Sequence, residues 1–530
     1  MSVDGFRSRP VVFLLLVLAA GICTPCLAAD PGAEAVRSAV EKYIDRRGRG
    51  ILLELVDLVQ IPNLASDAEN IGRNAGLLEI LLHKRGIATR RLETNGSPPV
   101  IFGELKAPGA TRTLIMYAHY DGQPVDPARW RSGPWEAEVR DPALGLKGKR
   151  IQWMMPGTSF NGEWRLYGRS SSDDKAPIVA FLNAIDALQA ASIPRSVNLK
   201  FFLEGEEEVG SPHLADTLKR FAHILDADLW VVCDGPVHQS RRMQLFFGAR
   251  GIIDLEMTFY GSTRPLHSGH YGNWAPNPIA MMVSLVSGMR GPDGDILIPG
   301  FSDQVRDLTG RERLALEKIP DFRETLMKDL GLAWTEGGGE PLEQLLMRPA
   351  MNLRGTMAGG VEEMARNAIP AEARVSIDFR LVPDQTPEFV RARVEEYFRA
   401  HRFHIVFEPP DQKTRSLHPR IVKLQWGHGY PPSRASMDLP VSRRLVRILE
   451  EQTGGPIIQL PTLGGSGPTY LFSEILDTPA IGIPIVNHDN NQHAADENLR
   501  LQNLWDGIEI YASLLARLGE GWDQTEEGEP

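Results

Sequence analysis

The chain is poor in cysteine, with only Cys23, Cys26 and Cys233 in 530 residues. Two of the three fall in a leader-like start. Arg7 and Arg9 precede the apolar run from Val11 to Ala20, and Cys26-Leu27-Ala28 supplies small residues for cleavage. That charge and hydropathy pattern is the one of a secretory signal over residues 1–28, so the expected destination is export, periplasmic or secreted. Loss of that segment leaves Cys233 alone, which excludes an internal disulfide and throws stability onto a large core and bound metal. No second long apolar run exists, so stable insertion in a membrane is not expected. Basic runs are also missing. Lys and Arg total 57 against 68 Asp and Glu, a net charge of −11, which argues against nucleic acid as a partner. No strand pattern leads into Gly-x-Gly-x-x-Gly, so a nucleotide-binding reading has no support.

What is present is an ordinary globular composition, 42% hydrophobic and 24% charged, over a length that calls for more than one domain. Amphipathic helices are expected over 33–59 and 70–85, and strand-like runs over 113–118, 197–203 and 229–233. A helical stripe at Ile178, Phe181, Leu182, Ile185 and Leu188 follows Pro177. This alternation predicts an α/β layer with a mainly parallel sheet flanked by helices. Near Gly248 the pattern changes. Ile253, Leu255, Met257 and Phe259 alternate with polar residues, as do Val375, Ile377, Phe379 and Leu381, which reads as half-exposed strands of an α+β unit. The expected organisation is a catalytic domain at 33–249 and 429–520, interrupted by an inserted lid or dimerisation domain at 250–428. Two insertions stand out, at 136–163 and 291–349, the first expected near the site entrance.

Acidic and imidazole side chains cluster just after the expected strands, where open α/β sheets gather ligands. His119-Tyr120-Asp121 could be a ligand whose second ring nitrogen is held by a carboxylate, or merely a local hydrogen bond. Asp173-Asp174 sits at a helix start, where capping competes with ligation. Glu204-Gly205-Glu206-Glu207-Glu208 abuts Phe201, Phe202 and Leu203, so its charges need coordination rather than solvent. Asp234-Gly235 is equally a turn, and the last cluster holds His488, His493, Asp496 and Glu497. Together they offer only N and O donors, which favours zinc, with manganese or cobalt as substitutes.

In order and spacing these motifs resemble the co-catalytic dizinc exopeptidases, the group of carnosinases, glutamate carboxypeptidases, acetylornithine deacetylase and succinyl-diaminopimelate desuccinylase. The likeness runs from about residue 41 to 518 and is nearest the carnosinase and dipeptidase branch. It implies two divalent metal ions bridged by Asp173, with His119 and Asp234 completing one site and Glu208 and His493 the other. It further implies Glu207 as general base, Asp121 as the partner of His119, and a cis peptide after Asp173. His267, in Leu266-His267-Ser268-Gly269-His270, resembles the histidine that reaches across a homodimer. Arg380 resembles the arginine that grips a substrate carboxylate, and Gly465 and Ser466 lie in a loop resembling the one that contacts substrate. Two departures are noted: Ser170 and Ala176 stand where the family has glycine. The implied activity is zinc-dependent hydrolysis of a short peptide next to a free carboxylate, of dipeptidase or carboxypeptidase type. An N-acyl amino acid deacylase on the same centre is the alternative, and a non-catalytic metal-binding or dimerisation module the alternative of another class.

Overall fold

In the computed structural model, which describes residues 1, 30–94, 96–141, 148–155 and 157–522, Thr113–His119 lies inside an eight-stranded sheet. The order across that sheet is 89–92, 100–105, 198–204, 113–119, 229–232, 480–482, 244–246, 458–460. Strands 198–204, 113–119, 229–232 and 480–482 run parallel, and antiparallel pairs begin at 100–105 and 244–246. The leader-like segment, residues 1–28, falls outside the described residues apart from Met1.

Period-2 alternation sends the two sides of each strand into different cores. Leu114, Met116 and Ala118 pack with helices 33–59, 175–190, 440–453 and 501–517. Ile115 and Tyr117 turn to the other face, with Trp230, Phe202 and the helices 214–221 and 470–476. Both faces are therefore covered, which is why these strands read as continuous apolar runs. Helix Lys175–Ala190 is buried almost all round, between the sheet and helices 33–59 and 501–517. Pro177 is tolerated because a first-turn residue has no intrahelical partner for its N–H.

The chain reaches carboxyl strand ends three times at one place. After 113–119 it runs through helix 175–190 to 198–204 on one side, then through helix 214–221 to 229–232 on the other. A strand order that reverses in this way opens a crevice at the carboxyl ends. His119, the loop from Gly205 and Asp234 all stand there.

A second, five-stranded sheet has the order 350–357, 372–381, 251–260, 421–426, 404–406, antiparallel except for the last pair. One face buries Ile253, Leu255, Phe379 and Met351 against helices 278–287 and 387–400. The other presents Arg380, Asp254 and Glu256. The protein is thus α/β, with a large, mainly parallel sheet flanked by helices and a second unit built on the five-stranded sheet. Segment 291–349 folds into short helices that pack back onto the first sheet's side, through the buried Arg434–Glu312 pair (3.3 Å) and Glu343–His238 (3.5 Å).

Of the stretch 136–163, residues 138–140 pair with strand 165–167, which leads into the Asp173 loop, and the later aromatic part docks on the helices. Phe160 meets Trp153 at a tilt and Trp164 and Trp505 edge-on, and it packs on Gly48 of helix 33–59. The aromatic content of that part decides where it docks: such rings gain most where they can be buried.

Candidate active site

The strand ends bring two sets of donors together. His119, Asp173 and Asp234 form one, and Asp173, Glu208 and His493 the other, with the donor atoms of each set within 4.8 Å of one another. Asp173 belongs to both. Its Oδ1 lies 3.0 Å from His119 Nε2 and its Oδ2 3.1 Å from His493 Nε2. His493 Nε2 is also 3.2 Å from Glu208 Oε2, and His119 Nε2 is 4.0 Å from Asp234 Oδ2. The peptide between Asp173 and Asp174 is cis.

Carboxylates outnumber imidazoles here, and Asp173 is buried with Asp234 and Glu208 half-buried beside it, so the cluster carries a surplus of negative charge in a poor solvent for it. Such charge is costly unless cations compensate it. The same field sets the direction in which these groups are shifted. Burial would lower His119, yet Asp121 and Asp173 push it well above its ordinary value. His493 is pushed up to about 10 by Asp173 and Glu208. Burial and the Asp173 charge lift Asp234 to about 6. Burial, with Asp234, Glu208 and Asp121 around it, raises Glu207 well above the usual carboxylate range. The donor set and its charge fit a pair of divalent cations, with nitrogen and oxygen ligands only.

Asp121 joins two parts of the site. Its Oδ1 is 3.3 Å from His119 Nδ1 and accepts from the Glu207 N–H (3.1 Å), while Oδ2 accepts from the Glu208 N–H (3.0 Å). One fully buried carboxylate therefore fixes an imidazole and the start of the loop bearing Glu207 and Glu208. Gly205 is required just before them, because a Cβ there would come within 2.5 Å of Tyr120 Oη.

Glu497 was only one member of an acidic stretch in the sequence, and it proves to organise the loop that carries Asp173. Oε1 accepts from Ser172 N (3.0 Å), Ser172 Oγ (2.9 Å) and Asp173 N (3.0 Å). Oε2 accepts from Arg169 Nη1 (2.8 Å) and Ser170 N (2.9 Å). The nearness of Glu497 to His493 in the chain was the available signal. Ser170, in the position where a glycine was anticipated, has φ 61°, a conformation that favours glycine. Its hydroxyl accepts from Asn63 Nδ2 (2.9 Å), a contact glycine could not make.

Across the crevice, Arg380 Nη1 donates to Ser466 Oγ (2.8 Å) and Nε to Asp378 Oδ2 (3.1 Å). Gly465 accepts from the Arg250 N–H (3.1 Å), and a Cβ on Gly467 would lie 3.9 Å from Glu207 Oε1, so this loop borders the carboxylate cluster. His267 is not brought there. It sits exposed on the lid, on strand 266–267, where its Nδ1 accepts from Gly269 N (3.1 Å) and its ring lies 4.4 Å from that of His270. Among the described residues no hydrogen bond or ion pair joins it to the donor cluster. A cavity of about 690 Å³ lined by Arg37, Arg242, Gln452 and Asp506 contains none of these residues and is a separate feature. No helix among the described residues is long and apolar enough to cross a membrane.

Comparison with known proteins gives this geometry a setting. The chain is 24% identical over 502 residues to the Cys-Gly metallodipeptidase dug1 of Schizosaccharomyces pombe, covering 93% of this chain and 98% of that one. It is 25% identical over 434 residues to the human Beta-Ala-His dipeptidase, covering 80% and 78%. Among solved structures, the M20 family metallo-carboxypeptidase Sso-CP2 of Sulfolobus solfataricus superposes with a TM-score of 0.71 at 26% identity, covering 88% of this chain and 99% of that one. These relatives overturn the exported destination. Export finds no support among these matches, and the exported reading is withdrawn. A positive start followed by an apolar run is a matter of charge and hydropathy, which do not by themselves fix a compartment. The model of peptidase family M20/M25/M40 matches residues 115–517, a span that includes every residue of the donor cluster. The chain belongs to peptidase family M20/M25/M40 and is a peptide-bond hydrolase.

Proposed function

We propose that the protein is a two-metal exopeptidase of dipeptidase type, cleaving a short peptide at the bond next to its free carboxylate. The observation that carries this is the pair of donor sets sharing Asp173, with Glu207 beside them and the Arg380–Ser466 pair across the crevice. In this reading His119, Asp173 and Asp234 hold one cation and Asp173, Glu208 and His493 the other. Nitrogen and oxygen donors without thiolate favour zinc, with manganese or cobalt as substitutes. Bound there, the cations supply the Lewis acidity that amide hydrolysis needs.

The chain's own residues do the rest. Glu207 takes the proton of the attacking water on a carboxylate oxygen and passes it to the leaving nitrogen, so that an amine departs. Asp121 holds the Glu207 and Glu208 amides and faces His119, which keeps base and ligands in one frame. Arg380, with Ser466 and Gly465, is assigned the substrate carboxylate, for which a guanidinium offers a planar pair of donors.

His267 is assigned a donor role toward the developing oxyanion of a second chain's site, in a homodimer formed through the lid. Support comes from the lid surface. Strand 350–357 is an edge with Leu353 and Met357 exposed, and Trp274, Val361 and Met364 are exposed on the same domain. Open edges and apolar patches of this kind ask for a cover. The catalytic unit is assigned to 33–249 and 429–520 and the lid to 250–428.

The reading is tested by hydrolysis of a dipeptide panel and an N-acyl amino acid panel, with and without chelator. Chelator-sensitive cleavage of dipeptides is expected. Preference for the acyl panel would make the protein a deacylase, and no cleavage of either after adding zinc or manganese would refute the proposal.

A further inference from the structure

Backbone register places an unassigned side chain beside the residues given the substrate carboxylate. In the lid sheet Arg380 pairs with Ile252, and Ile252 in turn bridges antiparallel to Tyr430. Tyr430 N donates to Ile252 O (3.0 Å) and Ile252 N to Tyr430 O (3.1 Å), so the bridge is made in both directions. Directly opposed residues of antiparallel strands project from the same face. Neighbouring Ile253, Phe379 and Met351 are buried on the opposite face, against the lid helices. Arg380, Ile252 and Tyr430 therefore form one row looking into the crevice.

Two features show that the row is built for a ligand's end group. The Tyr430 ring lies 5.7 Å from that of Tyr470, with planes 5° apart, which fixes the phenol against the helix that follows the Gly464–Thr469 loop. Its hydroxyl is within hydrogen-bonding reach of Ser466, and Glu207 and Arg380 are the charged groups acting most strongly on it. Burial, with Glu207 beside it, pushes the phenol up to about 12, so it keeps its proton and can donate it. Ser466 is already the acceptor of Arg380 Nη1. Three groups from two domains, a guanidinium, a hydroxyl and a phenol, thus converge on one spot.

We infer that Tyr430 is a specificity-determining residue whose hydroxyl, with Arg380 and Ser466, seats the terminal carboxylate of the peptide, its ring backed by Tyr470 forming one wall of that seat. The inference rests on the proposed exopeptidase reading and names the group that enforces its free-carboxylate requirement. A neutral phenol adds a donor without adding charge, so an uncharged terminal amide gains far less from it than a carboxylate does.

Binding separates this claim from turnover. In the Glu207→Gln protein loaded with zinc, L-alanyl-L-alanine and L-alanyl-L-alaninamide are titrated calorimetrically, with and without Tyr430→Phe. Phe keeps the ring stacked on Tyr470, and a thermal melt checks the fold. The dipeptide Kd is expected to rise roughly 10- to 100-fold in Tyr430→Phe while the amide changes by less than about 3-fold. Equal loss for both ligands, no loss for either, or no binding of the dipeptide to the Glu207→Gln protein would each overturn the assignment. Failure of the exopeptidase reading itself shows separately, as wild-type protein that leaves the dipeptide uncut.

Discussion

Replacing Glu497 by Gln changes one atom in a side chain with no solvent exposure, and the consequence can be worked out from its partners. The amide oxygen can occupy the position of only one carboxylate oxygen. Placed at Oε1, it keeps the donors Ser172 N, Ser172 Oγ and Asp173 N, while the new NH₂ confronts Arg169 Nη1 and Ser170 N, both themselves donors. The reverse placement leaves Ser172 N and Asp173 N facing the NH₂, while the Ser172 hydroxyl can turn to accept from it. Either way Arg169, 2% exposed, loses its carboxylate partner. Its guanidinium still lies 5.2 Å from the Trp130 ring, which recovers a small part. Removing one partner of a buried ion pair typically costs about 3–5 kcal/mol. That is a large fraction of a marginal total stability of about 5–15 kcal/mol. The loop holding Asp173 should loosen with it, lowering metal affinity about 10- to 100-fold, as loss of a group supporting a ligand generally does. Chemical denaturation of the chelated protein gives the first quantity, and calorimetric zinc titration the second. Wild-type values for both would refute the view that Glu497 fixes the Asp173 loop.

Glu207→Gln should retain its metal by elemental analysis and lose turnover by about 10²- to 10⁴-fold, since only the proton carrier is removed; unchanged turnover would remove Glu207 from that role. Mixing inactive Glu207→Gln with His267→Ala should restore activity, because a mixed dimer contains one complete site, and failure to recover any would count against a shared site. Asp489 is lifted by burial but held well below the usual carboxylate range by Arg165, Asn487 and Arg500. With a depressed folded value, its stabilisation is complete above the unfolded value of about 3.9 and is lost as pH falls below it. Asp489→Asn should therefore flatten the acid limb of a urea-midpoint profile below about pH 4, and a parallel shift at all pH would refute this. Gly205→Ala should lower activity through the Tyr120 clash and the displaced loop after it, whereas full activity would show that the loop can yield.

Much of the fold was legible because its signals are local. Helix Ala33–Val59 and helix Leu501–Arg517 follow from a 3.6-residue stripe, and strand Thr113–His119 from a short apolar run ending in a polar residue. The donors could be nominated for the same reason, since each follows a strand end. What stayed hidden depends on partners remote in the chain. Strands Gln244–Phe246 and Ile458–Leu460 are three residues each and exist because they pair with one another across more than 200 positions. Glu497 gives no hint of its five donors until the loop from Arg169 folds over it. Tyr430 is an unremarkable loop residue in sequence and becomes a neighbour of Arg380 only through two cross-strand pairings. The docking of Phe160 on Gly48 of helix 33–59 and on Trp505 likewise depends on partners far away in the chain.

The central claim is that Asp173 joins two cation sites, and metal stoichiometry in wild type and Asp173→Ala tests it most directly. Purified protein, stripped and reloaded with zinc, should bind about two ions per chain and cleave dipeptides, in keeping with a two-metal hydrolytic centre. Asp173→Ala should fall below that stoichiometry and lose cleavage together with it. A wild-type protein that cleaves with one ion or none, or an Asp173→Ala protein that still holds two, would contradict the account.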